Sequence, residues 1–332
     1  MLKKIFSLIL VFAICLALFG CGGAAPAQNT AAPETTAAPE ATADTQPVLT
    51  GKEALQGKKI IFLGNSYTFW GQTVIHKGYE VLSQQERSND PGYFYHLCKA
   101  NGIDVEVTNW TFGSHDITDI TGKSCNAQRD CQDQMHPYFL TDPYFDYVAI
   151  QLYVEKQYMG NLQKHLQTTM DFFREANPNV RFLLLVPHMA YEKGYSWVSD
   201  LEDLDSSVLV CNWGALAHDL SEGDVQVPGA TLELSRSTFV VAKDNHHESL
   251  LAGYITTLMV YCAITGESAV GQPYAFCDDS SLNAKFNLDA FLESNYPDGA
   301  TSNFAEVFRS EPDMQGLQQL TDEYLQKFNP TR

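Results

Sequence analysis

Two short stretches of this 332-residue sequence combine residue types that can do covalent chemistry. The first is Gly64-Asn65-Ser66-Tyr67-Thr68. A hydroxyl that follows Gly-Asn at a strand-to-helix turn is exposed, and the N–H groups of the helix start beside it can hold a developing oxyanion. Taken alone, the tripeptide reads equally well as Asn65-Ser66 capping a helix. A serine becomes a nucleophile only beside a base, and that base needs an orienting group. The second stretch, Asp244-Asn245-His246-His247, supplies both. Asp and His three residues apart on one turn face the same cleft, so His247 would take the Ser66 proton while Asp244 fixes its tautomer. His246 is a rival base, and Asp244 and His247 taken alone also suit a turn and a helix start. The DxxH spacing favours His247, and the joint presence of Ser66 weighs against the purely structural reading. His115 and His188 sit at predicted strand ends within reach of a substrate, although a lone histidine there is more often a structural hydrogen-bonding group. Tyr67 and Trp70, just past Ser66, either line a pocket or pack.

These residues need elements to position them. Lys58 to Gly64 is a short apolar run behind a basic start, the pattern of a buried parallel strand. Further strands are predicted at Val105–Trp110, Phe145–Leu152, Val180–Val186 and Thr238–Ala242. Helices are predicted at Tyr93–Ala100, at Leu162–Ala176 and at Leu250–Ile264, where Leu251, Ile255, Leu258 and Cys262 form one stripe. Thr265-Gly266 ends that last helix, and 314–328 reads as a closing helix. Strands alternating with helices predict an α/β domain with a parallel sheet covered on both faces. Ligands in such folds gather at the carboxyl ends of the strands, where Ser66 and the Asp244–His247 stretch both fall.

The amino-terminal end carries an address. Lys3 and Lys4 precede an almost unbroken apolar stretch, Ile5 to Leu18, too short for a membrane span and followed by small residues. Residues 1–20 are therefore predicted to be a signal peptide. Leu18-Phe19-Gly20-Cys21 is similar to a bacterial lipobox, which implies diacylation of Cys21; two chains suffice for stable anchoring. From Gly22 to Pro47, 18 of 26 residues are Ala, Thr or Pro, with no large apolar residue to offset the entropy of ordering. Residues 21–56 read as the lipidated Cys and a tether, and 57–332 as one folded domain.

The predicted location is outside the cell, on the membrane of a Gram-positive type of bacterium. The chain has 21 Lys and Arg against 40 Asp and Glu, a net charge of −19. Loss of Lys3 and Lys4 with the leader makes it −21. Such acidity argues against nucleic acid or an anionic glycopolymer as partner and leaves neutral sugars and small esters open. Of the eight Cys, Cys125 and Cys131 flank a polar loop suited to a disulfide, while Cys98 and Cys262 lie in apolar surroundings as buried thiols. No Cys/His cluster suggests a metal site, and no cofactor is implied.

Across residues 58 to 266 the sequence resembles the SGNH/GDSL hydrolase superfamily. Gly64-Asn65-Ser66 matches its first block, with Asn where many members have Asp, and Asp244 with His247 matches its last. Ser249, Tyr254 and Gly266 resemble the ending of a branch of bacterial lipoproteins that opens with GNSYT. The resemblance implies a flavodoxin-like three-layer sandwich around a mainly parallel five-stranded sheet. It also implies a serine acylhydrolase with Ser66, Asp244 and His247 as triad, and Asn65 and Tyr67 beside the substrate. Its second block implies an oxyanion N–H from Gly113. The third block, usually GxND, is absent; Gln151 stands at that strand end, and its amide is able to donate the same hydrogen bond or simply to cap the strand. The implied partner is an acyl ester, with O-acetylated glycans the preferred substrate class. Two other readings remain open: a solute- or glycan-binding lipoprotein that lost the chemistry, and an acyltransferase using the same triad.

Overall fold

The computed structural model describes residues 49–71, 73, 92–111, 144–152, 162–241, 246–278 and 304–330. Residues 1–48 lie outside the described residues, and with them the signal peptide, Cys21 and most of the predicted tether; so do Cys125 and Cys131. The described part starts earlier than residue 57. Gly51–Ala54 forms a turn of 3-10 helix, and Ala54 and Leu55 are fully buried in the core.

Five strands form one all-parallel sheet in the order β2-β1-β3-β4-β5. They are β1 (Lys58–Gly64), β2 (Val105–Thr111), β3 (Tyr147–Gln151), β4 (Arg181–Leu185) and β5 (Val208–Cys211). In β1, Ile60 and Phe62 enter one core while Ile61 and Leu63 enter the other. Alternate residues of a strand point to opposite faces, so an apolar run that shows no alternation is what a sheet covered on both sides requires. Helix α3 (Leu162–Ala176) covers one face through Leu162, Leu166, Met170 and Phe173. The other face carries α2 (Tyr93–Ala100), α5 (Trp213–Glu222), α7 (Leu250–Thr265) and the closing helix α9 (Glu311–Phe328). This is the three-layer α/β sandwich expected from the sequence, and it places the carboxyl ends of β1, β3 and β4 along one rim.

Two expectations need correction. The segment predicted as a strand at 238–242 is not in the sheet. Arg236–Phe239 forms a short helix, α6, opened by a Ser235 N–H that donates to Thr238 Oγ1 at 3.1 Å, and Val240 makes a single antiparallel bridge to Glu248. The fifth strand is Val208–Cys211, a four-residue run that forms an edge of the sheet. Its outer edge is satisfied from far along the chain: Val210 N–H donates to Asn329 Oδ1 at 2.8 Å, and Asn329 Nδ2 donates to Val210 O at 2.9 Å. A side-chain amide thus mimics a neighbouring strand and blunts the edge.

The second correction concerns α7, predicted with one apolar stripe. All of Leu250–Thr265 is buried. Buried on every side, and apolar but for three threonines and two tyrosine hydroxyls, it forms the centre of its layer between the sheet, α2, α5 and α9. Gly266 ends it at φ 72°, a left-handed conformation that Gly adopts without a Cβ penalty. Cys98, Cys211, Cys262 and Cys277 are buried thiols, as predicted for Cys98 and Cys262.

Candidate functional site

β1 delivers Ser66 to the rim. Asn65 is the N-cap of α1 (Ser66–Phe69): its Oδ1 accepts from Tyr67 N at 3.0 Å, and its carbonyl accepts from Thr68 N at 2.9 Å. Asn65 therefore caps the helix, and the Ser66 hydroxyl is left for other work. Ser66 is partly exposed, whereas Asn65 and Tyr67 are buried. Gly64 is required by space rather than by an unusual φ. A Cβ there would lie 2.5 Å from Thr68 Oγ1 and 2.7 Å from Gln151 Cβ. The nucleophile turn, the end of β3 and α1 are thus packed without a side chain between them.

His247 arrives at the same turn from the other end of the sequence. Its ring stacks on Trp70 with centroids 4.3 Å apart and planes at 10°, and it lies 5.7 Å from the Tyr67 ring. Trp70 is one helical turn after Ser66, and its N–H donates to Ser66 O at 2.9 Å. His246 is next to it, 4.1 Å from His247 and 6.2 Å from Tyr67, so both candidate bases face α1. The segment bearing them is pinned on both sides. Val241 N–H donates to His247 O at 2.7 Å, and Ser249 N–H donates to Phe239 O at 2.8 Å. Ser249 also donates its hydroxyl to Thr238 O at 2.7 Å and accepts from Ala252 N as the cap of α7. The role of Trp70 as a platform for His247 was legible only as an aromatic four residues past a serine.

Gln151 is fully buried beside Gly64, as a strand-end residue of β3. Its Nε2 donates to Leu185 O on β4 at 3.1 Å, and its Oε1 has no hydrogen-bond partner. One amide hydrogen is therefore committed to the sheet.

His188 also lies at a strand end, at the start of α4 (His188–Glu192), but its ring neighbours are Trp213 at 6.4 Å and His218 at 6.0 Å on α5 rather than the rings around Ser66. Its Nδ1 is 3.7 Å from Glu192 Oε2, and Arg236 holds that carboxylate through contacts of 2.7 Å to each oxygen. Burial outweighs the attraction of Glu192 and pushes the imidazole down to about 4. Asp244, Gly113 and His115 lie outside the described residues.

No group of three or more metal-ligating side chains is gathered among the described residues, and no helix among them is long and apolar enough to cross a membrane. A groove of about 800 Å³ opens at the amino ends of β4 and β5, lined by Arg181, Val208, Lys327 and Phe328; Ser66, Gln151 and His247 do not line it.

No family model matches the sequence, and no curated protein matches it. Solved structures similar to this chain include a DUF4886 family protein from Bacteroides uniformis (12% identity, 83% of this chain and 96% of that one, TM-score 0.39). A putative GDSL-like lipase from Parabacteroides merdae is similar at 15% identity over 64% of this chain and 97% of that one, with TM-score 0.40. A catalytic mutant of an acetylxylan esterase from Geobacillus stearothermophilus is similar at 15% identity over 64% and 96%, with TM-score 0.42. At these identities and scores the likeness carries no chemistry to this chain. The sheet order and its two covered faces define the fold by themselves.

Proposed function

We propose that this protein is a serine esterase that cleaves an acyl ester through an acyl-enzyme. The observation that carries the reading is the stacking of His247 on Trp70, one turn past a serine whose capping duty is performed by Asn65. In this reading Ser66 Oγ attacks the ester carbonyl and passes its proton to His247, with Asp244 orienting the imidazole. The backbone N–H groups of Ser66 and Gly113, with the second amide hydrogen of Gln151, hold the oxyanion. The alcohol leaves with the proton from His247, and water, deprotonated by the same ring, releases the acid. Asn65, Tyr67 and His115 are the residues proposed to flank the substrate; His188, buried against Trp213 and His218, is set aside. The substrate class we favour is an O-acylated neutral glycan met outside the cell by a domain tethered through a lipid on Cys21. The net charge of −19 favours a neutral over an anionic glycan.

One observation favours a second reading, a glycan- or solute-binding protein with weakened chemistry. The Gln151 amide already bonds Leu185 O, so it is a less free oxyanion donor than an asparagine aimed at the cleft. One such donor is worth roughly 100- to 1000-fold in rate.

The deciding experiment uses the chain from residue 49 onward with p-nitrophenyl acetate and a serine-reactive phosphonate. The wild type should release p-nitrophenol and be labelled, and Ser66→Ala should lose both. No turnover and no labelling of the wild type refutes the esterase reading in favour of binding.

A further inference from the structure

Directly after His247 the chain places a carboxyl inside the protein. Glu248 is 1% exposed, and neither of its oxygens has a hydrogen-bond partner. It occupies the bridged position opposite Val240, so its side chain points away from the face on which His247 meets Trp70. Its surroundings are defined by two glycines. A Cβ on Gly71, just past α1, would lie 3.0 Å from Glu248 Oε2 and 2.7 Å from Gly253 Cα. A Cβ on Gly253, in the first turn of α7, would lie 1.6 Å from Gly71 O. The backbone leaving the Ser66 helix therefore touches the backbone of α7, and the Glu248 carboxyl fills the corner beside them. Thr73 Oγ1 ties the same place by donating to Gly253 O at 3.2 Å. Trp213 Nε1 on α5 is likewise buried without a partner.

We propose that Glu248 is a positioning residue for His247: its carboxyl, seated where the end of α1 meets α7, holds the Ser66 turn against the His247 segment while protonated and loosens it on ionising. The inference rests on the reading of Ser66 and His247 as nucleophile and base. Burial strongly favours the neutral acid and raises its pKa well above the carboxylate range, opposed only by the Trp213 indole. The indole and the carboxyl complete no hydrogen bond of normal geometry, so burial dominates.

Among the described residues, little else that is ionisable faces this corner. α1 and α7 contain no charged residue, and Tyr254 of α7 points its hydroxyl at Gln272 O, Pro273 O and Gln318. On α5, Asp219 bonds Tyr324 and His218 stacks near Tyr191; on α6, Arg236 is held by Glu192. His246 and His247, on the segment of Glu248 itself, are the nearest titratable groups in sequence, and their rings meet Tyr67 and Trp70 of the Ser66 turn. Among the described residues no Lys or Arg of α1, α5 or α7 is present and Arg236 of α6 is engaged by Glu192, so an ionised Glu248 draws in water and parts the two backbones, and a shift of about 1 Å at a reacting pair can cost about 100-fold in rate.

The test measures kcat and KM for a p-nitrophenyl ester against pH in the wild type, Glu248→Gln and Glu248→Ala, with thermal melts over the same range. The wild type should lose kcat reversibly on the alkaline side at nearly constant KM. Glu248→Gln, which cannot ionise, should lack that limb and retain about tenfold more turnover at neutral pH than Glu248→Ala. The melts need no turnover. A group whose folded pKa is raised contributes stability that is full below its unfolded value and is lost as pH rises through the folded one. The wild-type Tm should therefore fall with rising pH relative to Glu248→Gln, whether or not the protein proves to be an esterase. An alkaline limb and a Tm profile identical in wild type and Glu248→Gln overturn the proposal. A missing turnover with diverging melts overturns only the esterase reading.

Discussion

Replacing Gly253 by Ala reverses an ordinary expectation about glycine in helices. In the interior of a helix, Gly→Ala adds about 1 kcal/mol of stability through backbone entropy and propensity. Gly253 is in the first turn of α7, so propensity alone predicts a gain. The new Cβ, however, would fall 1.6 Å from Gly71 O, 2.2 Å from Gly71 C and 2.6 Å from Gly71 Cα. Ordinary contact for such atoms is about 3.5 Å, so the two backbones must part by about 2 Å. Neither can move freely: α7 is buried along its whole length, and Gly71 follows the turn that carries Ser66. Overpacking of this kind costs about 3 kcal/mol, which after the propensity gain leaves a net loss of about 2 kcal/mol. For a domain of this size that is a Tm about 4–8 °C below wild type. Since the displaced backbone is continuous with α1, ester turnover should fall about 100-fold as the Ser66 turn shifts. Urea unfolding and thermal melts of Gly253→Ala, beside its kinetics, measure both quantities. A variant as stable as wild type or more so, with unchanged turnover, would falsify the close approach of α1 and α7 on which the site's geometry depends.

Two further predictions concern pH. His188 has a depressed pKa, about 4, through burial, so folding favours its neutral form and its stabilising contribution is lost as pH falls from about 6.5 toward 4; the histidine NMR titration should place it there, and Tm in His188→Gln should depend less on pH across that window. Asp313 is buried, which alone would raise its pKa, but bonds from Ser310, from Thr231 Oγ1 (2.6 Å) and N (3.1 Å) and from Leu232 N (3.0 Å) outweigh burial and lower it. Its contribution is therefore full above the usual Asp value and is lost as pH falls through the folded one, and Asp313→Ala should cost about 2 kcal/mol at pH 7 in urea titrations, with a smaller penalty in acid.

Much of the frame was legible in the sequence because it rests on local pattern. The runs at 58–64, 145–152 and 180–186 lack alternation, as strands of a sheet buried on both faces do, and β1, β3 and β4 lie there, while 105–110, which alternates at its start, is β2. The helix at 93–100 was expected ahead of β2 with the bounds it has, and Gly266 announced the end of α7. The strand predicted at 238–242 failed because Thr, Phe, Val and Val are good strand formers, and the Ser235–Thr238 cap that starts a helix instead is a short-range competitor. The true fifth strand was hidden by its length and by its dependence on Asn329, whose amide satisfies the edge from 119 positions away.

The sequence by itself determined the residue types of the site and the ends of the strands that bear them: a serine after β1, a histidine before α7 and a glutamine at the end of β3. Those are properties of local order, set by the apolar runs and the turn residues between them. Only the tertiary structure decided what the residues touch. Asn65 rather than Ser66 does the capping, Trp70 receives the His247 ring, Leu185 O claims part of the Gln151 amide, and Glu248 is shut into the corner between Gly71 and Gly253. These contacts join distant segments, 180 residues apart in the bond from Thr73 to Gly253. Their energies come from burial and close packing, and both are set by the whole folded chain rather than by any window of it.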